Sequence, residues 1–130
     1  MAANLVKAGF DVAVCDDVPG HSGRCASEVG GQAAADAAAA QRSADAVVAI
    51  LPTSNQVAAV AAQIAPVLTA GALVIDRPTA SMTRGQPAKT RKIAAKLAKC
   101  GATMIDAPAF GGVPRAKSGD LAIMVGGEKT

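Results

Sequence analysis

Two stretches of this 130-residue chain carry residue types whose spacing could do chemistry. The first is residues 10–16, FDVAVCD, an apolar run that closes on Asp16 with a second carboxylate, Asp17, directly after it. An acid at the end of a buried strand suits the acceptance of hydrogen bonds from a ribose, and a turn-capping aspartate would look the same. The second is residues 106–127, DAPAFGGVPRAKSGDLAIMVGG. There one apolar run, 102–107, ends in Pro108 and the pair Gly111 and Gly112, and another, 121–125, ends in Gly126 and Gly127. Two strands joined by a glycine-rich loop is the plain reading. Adjacent glycines let a backbone pass close to a bound group and offer it bare N–H donors, which suits a carboxylate or a phosphate. A flexible hairpin loop without a ligand remains the alternative.

The rest of the chain supplies the elements that must position these groups. Residues 1–8 have helical apolar spacing, and Gly9 is a natural stop. Residues 10–16 read as a strand buried on both faces, 18–23 as a turn, and 24–30 as a short helix. The alanine run favours a helix over 34–42 rather than a low-complexity linker. Asp45 opens the buried strand AVVAILP, which Pro52 ends. Residues 55–68 predict a helix interrupted by Pro66, 72–76 a strand, and 87–99 a helix that starts on Pro87 and is stopped by Gly101. Strand and helix alternating at this rhythm predict right-handed βαβ units in an α/β, doubly wound, mainly parallel sheet. Ligands bind such sheets at the carboxyl ends of the strands: Asp16, Leu51 with Pro52, residues 76–79, and residues 108–112.

Bulk composition narrows the function classes. With 51% hydrophobic and 18% charged residues and a net charge of +3, the chain reads as one globular domain at most and not as a disordered tail. Aromatics make up 2%, with no Trp or Tyr, which argues against a module that stacks bases on rings. A core of Ala, Val, Ile and Leu favours thin helices close on a sheet. Cys15, Cys25 and Cys100 have no C-x-x-C spacing and His21 is the lone histidine, so no metal site is expected, and Cys15 reads as a small core residue. The odd cysteine count fits a reducing compartment. No apolar stretch approaches the roughly 20 residues of a membrane span, and no charged leader precedes one. The expectation is a cytoplasmic protein, or a mature piece of an imported one, without membrane partners. Lys89, Arg91, Lys92, Lys96 and Lys99 lie mostly off the apolar stripe of their helix; a solvated face is preferred to a nucleic-acid patch.

Residues 106–127 resemble the substrate-binding signature of the beta-hydroxyacid dehydrogenases, D-A-P-V-S-G-G followed by G-x-L-x-x-M-V-G-G. Asp106, Ala107, Pro108, Gly111, Gly112, Gly119, Leu121, Met124, Val125, Gly126 and Gly127 fall in place. The resemblance covers nearly the whole chain. MAANLVKAG at 1–9 is similar to the helix that follows the family's dinucleotide glycine loop, and Asp16 matches its ribose-binding acid. LPTS at 51–54 matches the loop lining the nicotinamide, which implicates Leu51 and Pro52; Gln56 falls where some members carry a cofactor-contacting Asn, and Thr79 in VIDRPTAS falls on a cofactor-contacting threonine. Phe110, Gly111 and Gly112 would hold the substrate carboxylate. The resemblance implies hydride transfer between NAD and a small 3-hydroxy acid of the 3-hydroxyisobutyrate kind, giving its semialdehyde. It also implies a homo-oligomeric parent enzyme, mitochondrial if that parent is eukaryotic. NADP is less expected than NAD, since Asp16 and Asp17 would repel a 2'-phosphate and the nearest arginine, Arg24, lies several residues on.

Departures from the pattern carry their own expectations. Nothing here reads G-x-G-x-x-G, and no segment like the family's catalytic G-x-x-x-K-x-x-x-N follows Gly127, so no catalytic residue is assigned within the chain. Residues 1–130 are therefore expected to be an incomplete dinucleotide-binding domain, truncated at both ends, without its first strand and without the all-helical C-terminal domain. Loss of a central strand would leave edges unpaired near residues 12–14 and 47–50 and make the chain marginal or aggregating. The alternative is a non-catalytic nucleotide- or partner-binding remnant. Phe110 stands where serine would bond the carboxylate, Pro78 where serine is usual, and Arg115 where the family has Gly or Ala. Arg115 either offers a charge-assisted contact to an acid or simply points to solvent.

Overall fold

The computed structural model describes residues 1–42, 44–77 and 87–126. The chain runs α1 (Ala2–Lys7), β1 (Ala13–Val14), α2 (His21–Val29), β2 (Gln32–Ala33), α3 (Ala37–Gln41), β3 (Ala46–Ala49) and α4 (Ser54–Ile64). A 3-10 turn (Ala65–Val67) then leads to β4 (Leu73–Asp76), α5 (Pro87–Lys99), β5 (Thr103–Asp106), β6 (Ala109–Phe110), α6 (Gly112–Ser118) and β7 (Ala122–Ile123). Contacts divide it into two compact units, Met1–Ala40 with Gly111–Leu121, and Gln41–Phe110 with Ala122–Thr130.

The second unit contains the core. Strands β3, β4 and β5 form a parallel sheet in that order, with Val47 opposite Val74 and Val74 opposite Met104. The crossovers pass through α4 and α5, as parallel pairing requires. Val57, Ala61 and Ile64 recur at helical spacing on α4 and are buried, as are Ile93 and Leu97 on α5. Together they close on Val47, Ala49, Val74 and Met104 of the sheet. Pro66 lacks an N–H and its ring would clash with the preceding turn, so α4 gives way to the 3-10 turn that contains it. Gly101, at φ 80°, turns the chain from α5 into β5. Strands β6 and β7 pair antiparallel, and Asp106 exchanges backbone hydrogen bonds with Gly126 at 2.9 and 2.8 Å.

In the first unit β1 and β2 pair in parallel, Ala13 opposite Gln32 and Val14 opposite Ala33, with α2 as the crossover. Gly31 is required there by close approach: a Cβ on it would stand 2.7 Å from the Val12 carbonyl oxygen. The Asn4 side-chain amide donates to the Ala116 carbonyl at 2.8 Å and ties α1 to α6.

The parallel βαβ architecture agrees with the sequence, while several details do not. The strand over 10–16 contracts to two residues and is not buried on both faces; Phe10 is 63% exposed and Cys15 is exposed rather than in the core. Among the described residues β1 is paired on one edge only, by a strand as short as itself, so alternate side chains face water. Among the described residues, hydrogen bonding yields a parallel pair, a parallel triplet and an antiparallel pair. The alanine helix starts at Ala37, because the Asp36 carboxylate accepts the Ala39 N–H at 2.6 Å. The segment between the two apolar runs of 102–125 is not a plain loop, since it holds β6 and α6.

Candidate functional site

At the carboxyl end of β1 the backbone turns back sharply, with Gly20 at φ 81° immediately before α2. That turn is organised around Asp16. Its Oδ1 accepts the Val18 N–H at 2.9 Å, its Oδ2 lies 3.6 Å from His21 Nδ1, and its own N–H donates to Ser22 Oγ at 2.8 Å. The Val18 N–H, followed by the His21 imidazole, holds the Asp16 carboxyl below the usual carboxylate range. The group is therefore an ionised acceptor, and its two oxygens have more lone pairs than these partners use. The side chain is 41% exposed. An ionised, oriented and accessible carboxylate at a strand end fits a diol, whose two hydroxyls can both donate to it.

Cys15 precedes it. Desolvation first, and then the negative field of Asp36, Asp16 and Asp17, pushes its thiol up. That makes it a poor nucleophile at neutral pH.

Gly111 and Gly112 also belong to the first unit. Their φ values of 130° and 65° are open to glycine and strained for other residues. The Arg115 side chain lies over Gly111: a Cβ placed there would stand 2.5 Å from Arg115 Cδ and 2.8 Å from its Cβ. A glycine pair in this conformation leaves its backbone accessible to a small anion.

The second unit holds Leu51, Pro52, Gln56 and Phe110. Leu51 is half-buried and Pro52 exposed, both in the loop from β3 to α4. Gln56 is exposed, but its Oε1 already serves the helix start, accepting the Thr53 N–H at 3.1 Å and the Thr53 hydroxyl at 3.0 Å. Thr53 Oγ1 in turn accepts the Gln56 N–H at 3.3 Å. Only the amide –NH2 of Gln56 is left to approach a ligand. The spacing Thr-x-x-Gln before an apolar helix was the available signal for this box, and the expectation of a cofactor contact passed over it. Phe110 ends β6 and is 51% exposed.

Thr79 and Pro78 lie outside the described residues. Asp76, which sequence reasoning placed at a strand end without a role, is 4% exposed at the carboxyl end of the central strand β4, opposite Asp106 in the register. The expected site residues are thus shared between the units, with Asp16, Gly111 and Gly112 in one and Leu51, Pro52, Gln56 and Phe110 in the other. Among the described residues no group of three or more His, Cys, Asp or Glu could hold a metal ion, and no helix is long and apolar enough to cross a membrane.

The family model for the NAD binding domain of 6-phosphogluconate dehydrogenase matches residues 1–130. The chain belongs to the beta-hydroxyacid dehydrogenase family. It is similar to the mitochondrial 3-hydroxyisobutyrate dehydrogenase of Homo sapiens, at 35% identity over 130 residues covering 98% of this chain and 37% of that protein. It is also 38% identical over 141 residues to the NAD-dependent L-serine dehydrogenase of Pseudomonas aeruginosa, covering 98% of this chain and 42% of the relative. Among solved structures, the 3-hydroxyisobutyrate dehydrogenase of Mycobacterium tuberculosis, determined with L-serine, superposes with a TM-score of 0.86 at 33% identity, over 98% of this chain and 42% of that one. The Rossmann-like fold and the NAD-binding-domain assignment rest on these matches. The chain spans about two fifths of the length of the relatives it matches.

Proposed function

We propose that these 130 residues are the cofactor-binding part of an enzyme that oxidises a small 3-hydroxy acid reversibly to its semialdehyde. The observation that carries this reading is the Asp16 turn, where a carboxylate is kept ionised by the Val18 N–H and His21 and remains accessible at the end of a parallel strand. Asp16 accepts the adenosine ribose hydroxyls. By the family pattern, Leu51, Pro52, Gln56 and Thr79 are assigned to the nicotinamide end of the cofactor, and Phe110, Gly111 and Gly112 to the hydroxy acid. Bound NAD supplies the hydride chemistry, and the protein supplies position. The acid/base group is not among these residues; we place it in the remaining length of the enzyme, in a helical domain that covers the substrate.

Two adjacent carboxylates, Asp16 and Asp17, oppose a 2'-phosphate, and NAD is accordingly preferred to NADP. The parent enzyme is a homo-oligomer of the cytoplasm, or of the mitochondrial matrix in a eukaryote. Calorimetric titration of the chain with NAD and with NADP tests the reading. Saturable NAD binding with weaker NADP binding supports it, whereas no heat at millimolar NAD, or equal affinity for both, defeats it.

A further inference from the structure

Arg115 stands out because its aliphatic stem lies against Gly111. The Arg115 carbonyl accepts both the Gly119 N–H at 2.9 Å and the Asp120 N–H at 3.0 Å, and the next residue, Ala116, is held by Asn4. The aliphatic stem is laid over Gly111, so closely that an added Cβ would meet Arg115 Cδ, Cβ and Cγ at 2.5, 2.8 and 3.1 Å. All of these residues lie in the first unit. Arg115 is exposed, and among the described residues no carboxylate pairs with it. The sequence of α6, GVPRAKS, contains no acid.

We infer that Arg115 is a substrate-binding residue that grips the hydroxy-acid carboxylate at the glycine turn. The inference rests on the reading of that turn as the carboxylate site, and it deepens that reading by naming the side chain responsible for charge recognition. Phe110 has no side-chain donor, whereas a guanidinium offers five N–H groups in a fork that matches the two oxygens of a carboxylate. Its charge also makes recognition depend on an ionised acid: an ester or amide of the same hydroxy acid is refused. The glycine at 111 then has a second purpose besides its φ of 130°, since only a residue without Cβ lets the arginine stem lie across the backbone.

The test is a titration of the 15N-labelled chain with 3-hydroxyisobutyrate and with its methyl ester, followed at the Gly111 and Gly112 amides and at Arg115 Nε. Saturable shifts at all three with the acid and none with the ester are the expected result. Arg115→Ala weakens acid binding by roughly tenfold or more, and Arg115→Lys, which keeps the charge but not the fork, weakens it by less. Acid binding unchanged in Arg115→Ala overturns the inference, as does equal binding of the ester or the absence of any shift in the unsubstituted chain. A parallel NAD titration separates the two claims. Arg115-dependent acid binding without NAD binding would defeat the dehydrogenase reading alone, and NAD binding with Arg115-independent acid binding would defeat this inference alone.

Discussion

Asp16 organises the turn at the end of β1 through its carboxylate and its own N–H. Its depressed pKa arises first from the Val18 N–H and then from His21, so the folded chain holds the carboxylate more readily than the unfolded one. By linkage, that stabilisation is present above the ordinary value of 3.8 and is lost as the pH falls through the folded pKa. Unfolding midpoints followed through the acid range should therefore fall more steeply for the unsubstituted chain than for Asp16→Asn; parallel curves would show that the contacts contribute nothing. For binding, hydrogen bonds to a charged acceptor contribute about 1.5–3 kcal/mol, so Asp16→Asn should weaken NAD binding by about 10- to 100-fold in calorimetry. The neighbouring Cys15 thiol, pushed up by desolvation and by Asp36, Asp16 and Asp17, should react with iodoacetamide at pH 7.5 more slowly than a free thiol of the ordinary value 9.0. A faster rate would mean that those carboxylates do not act on it.

Among the elements, α4 and α5 fix the core and invite direct tests. The Thr53–Gln56 box starts α4, and Thr53→Ala should cost about 0.5–2 kcal/mol in denaturant unfolding. Leu97, fully buried on α5, should cost about 2–5 kcal/mol on replacement by alanine, which for so small a chain is a large part of the total. Both helices were legible in the sequence because the usual punctuation was present: apolar residues at 57, 61 and 64, Pro66 as a breaker, Pro87 as a starter and Gly101 as a stop. Strands β3 and β4 were legible for a similar reason, as β-branched runs closed by Pro52 and Asp76. What could not be read was anything set by pairing rather than pattern. FDVAVCD has the composition of a buried strand, yet it shrinks to Ala13–Val14 because its partner, β2, is only two residues long. Likewise, the alanines before residue 37 have helical propensity, but the Asp36 cap fixes the start of α3. Of the residues the sequence singled out, Asp16 organises a turn and the glycine pair adopts positive φ, features their residue types make readable, whereas the Gln56 oxygen is claimed by its own helix.

At the scale of the whole chain, the two units differ in how much apolar surface they remove from water. Among the described residues, Ala26 is the one buried apolar residue of the first unit, while Val57, Ile64, Val74, Ile93 and Leu97 all belong to the second. Amides of β1 and β2 should accordingly exchange with solvent faster than those of β4, a difference that hydrogen exchange followed by NMR reads residue by residue. Among the described residues, β1 is paired only with β2 and β3 only with β4. Each therefore has an edge on which no strand lies, and Val48 and Ile50 nearby are exposed. Such edges pair readily with other chains, so sedimentation should show self-association that increases with concentration. The most direct measurement for the NAD-binding reading is a chemical-shift map of the labelled chain with NAD. The expected result is saturable shifts at Asp16, Asp17 and Val18. Shifts confined to other residues, or none at millimolar NAD, would contradict it.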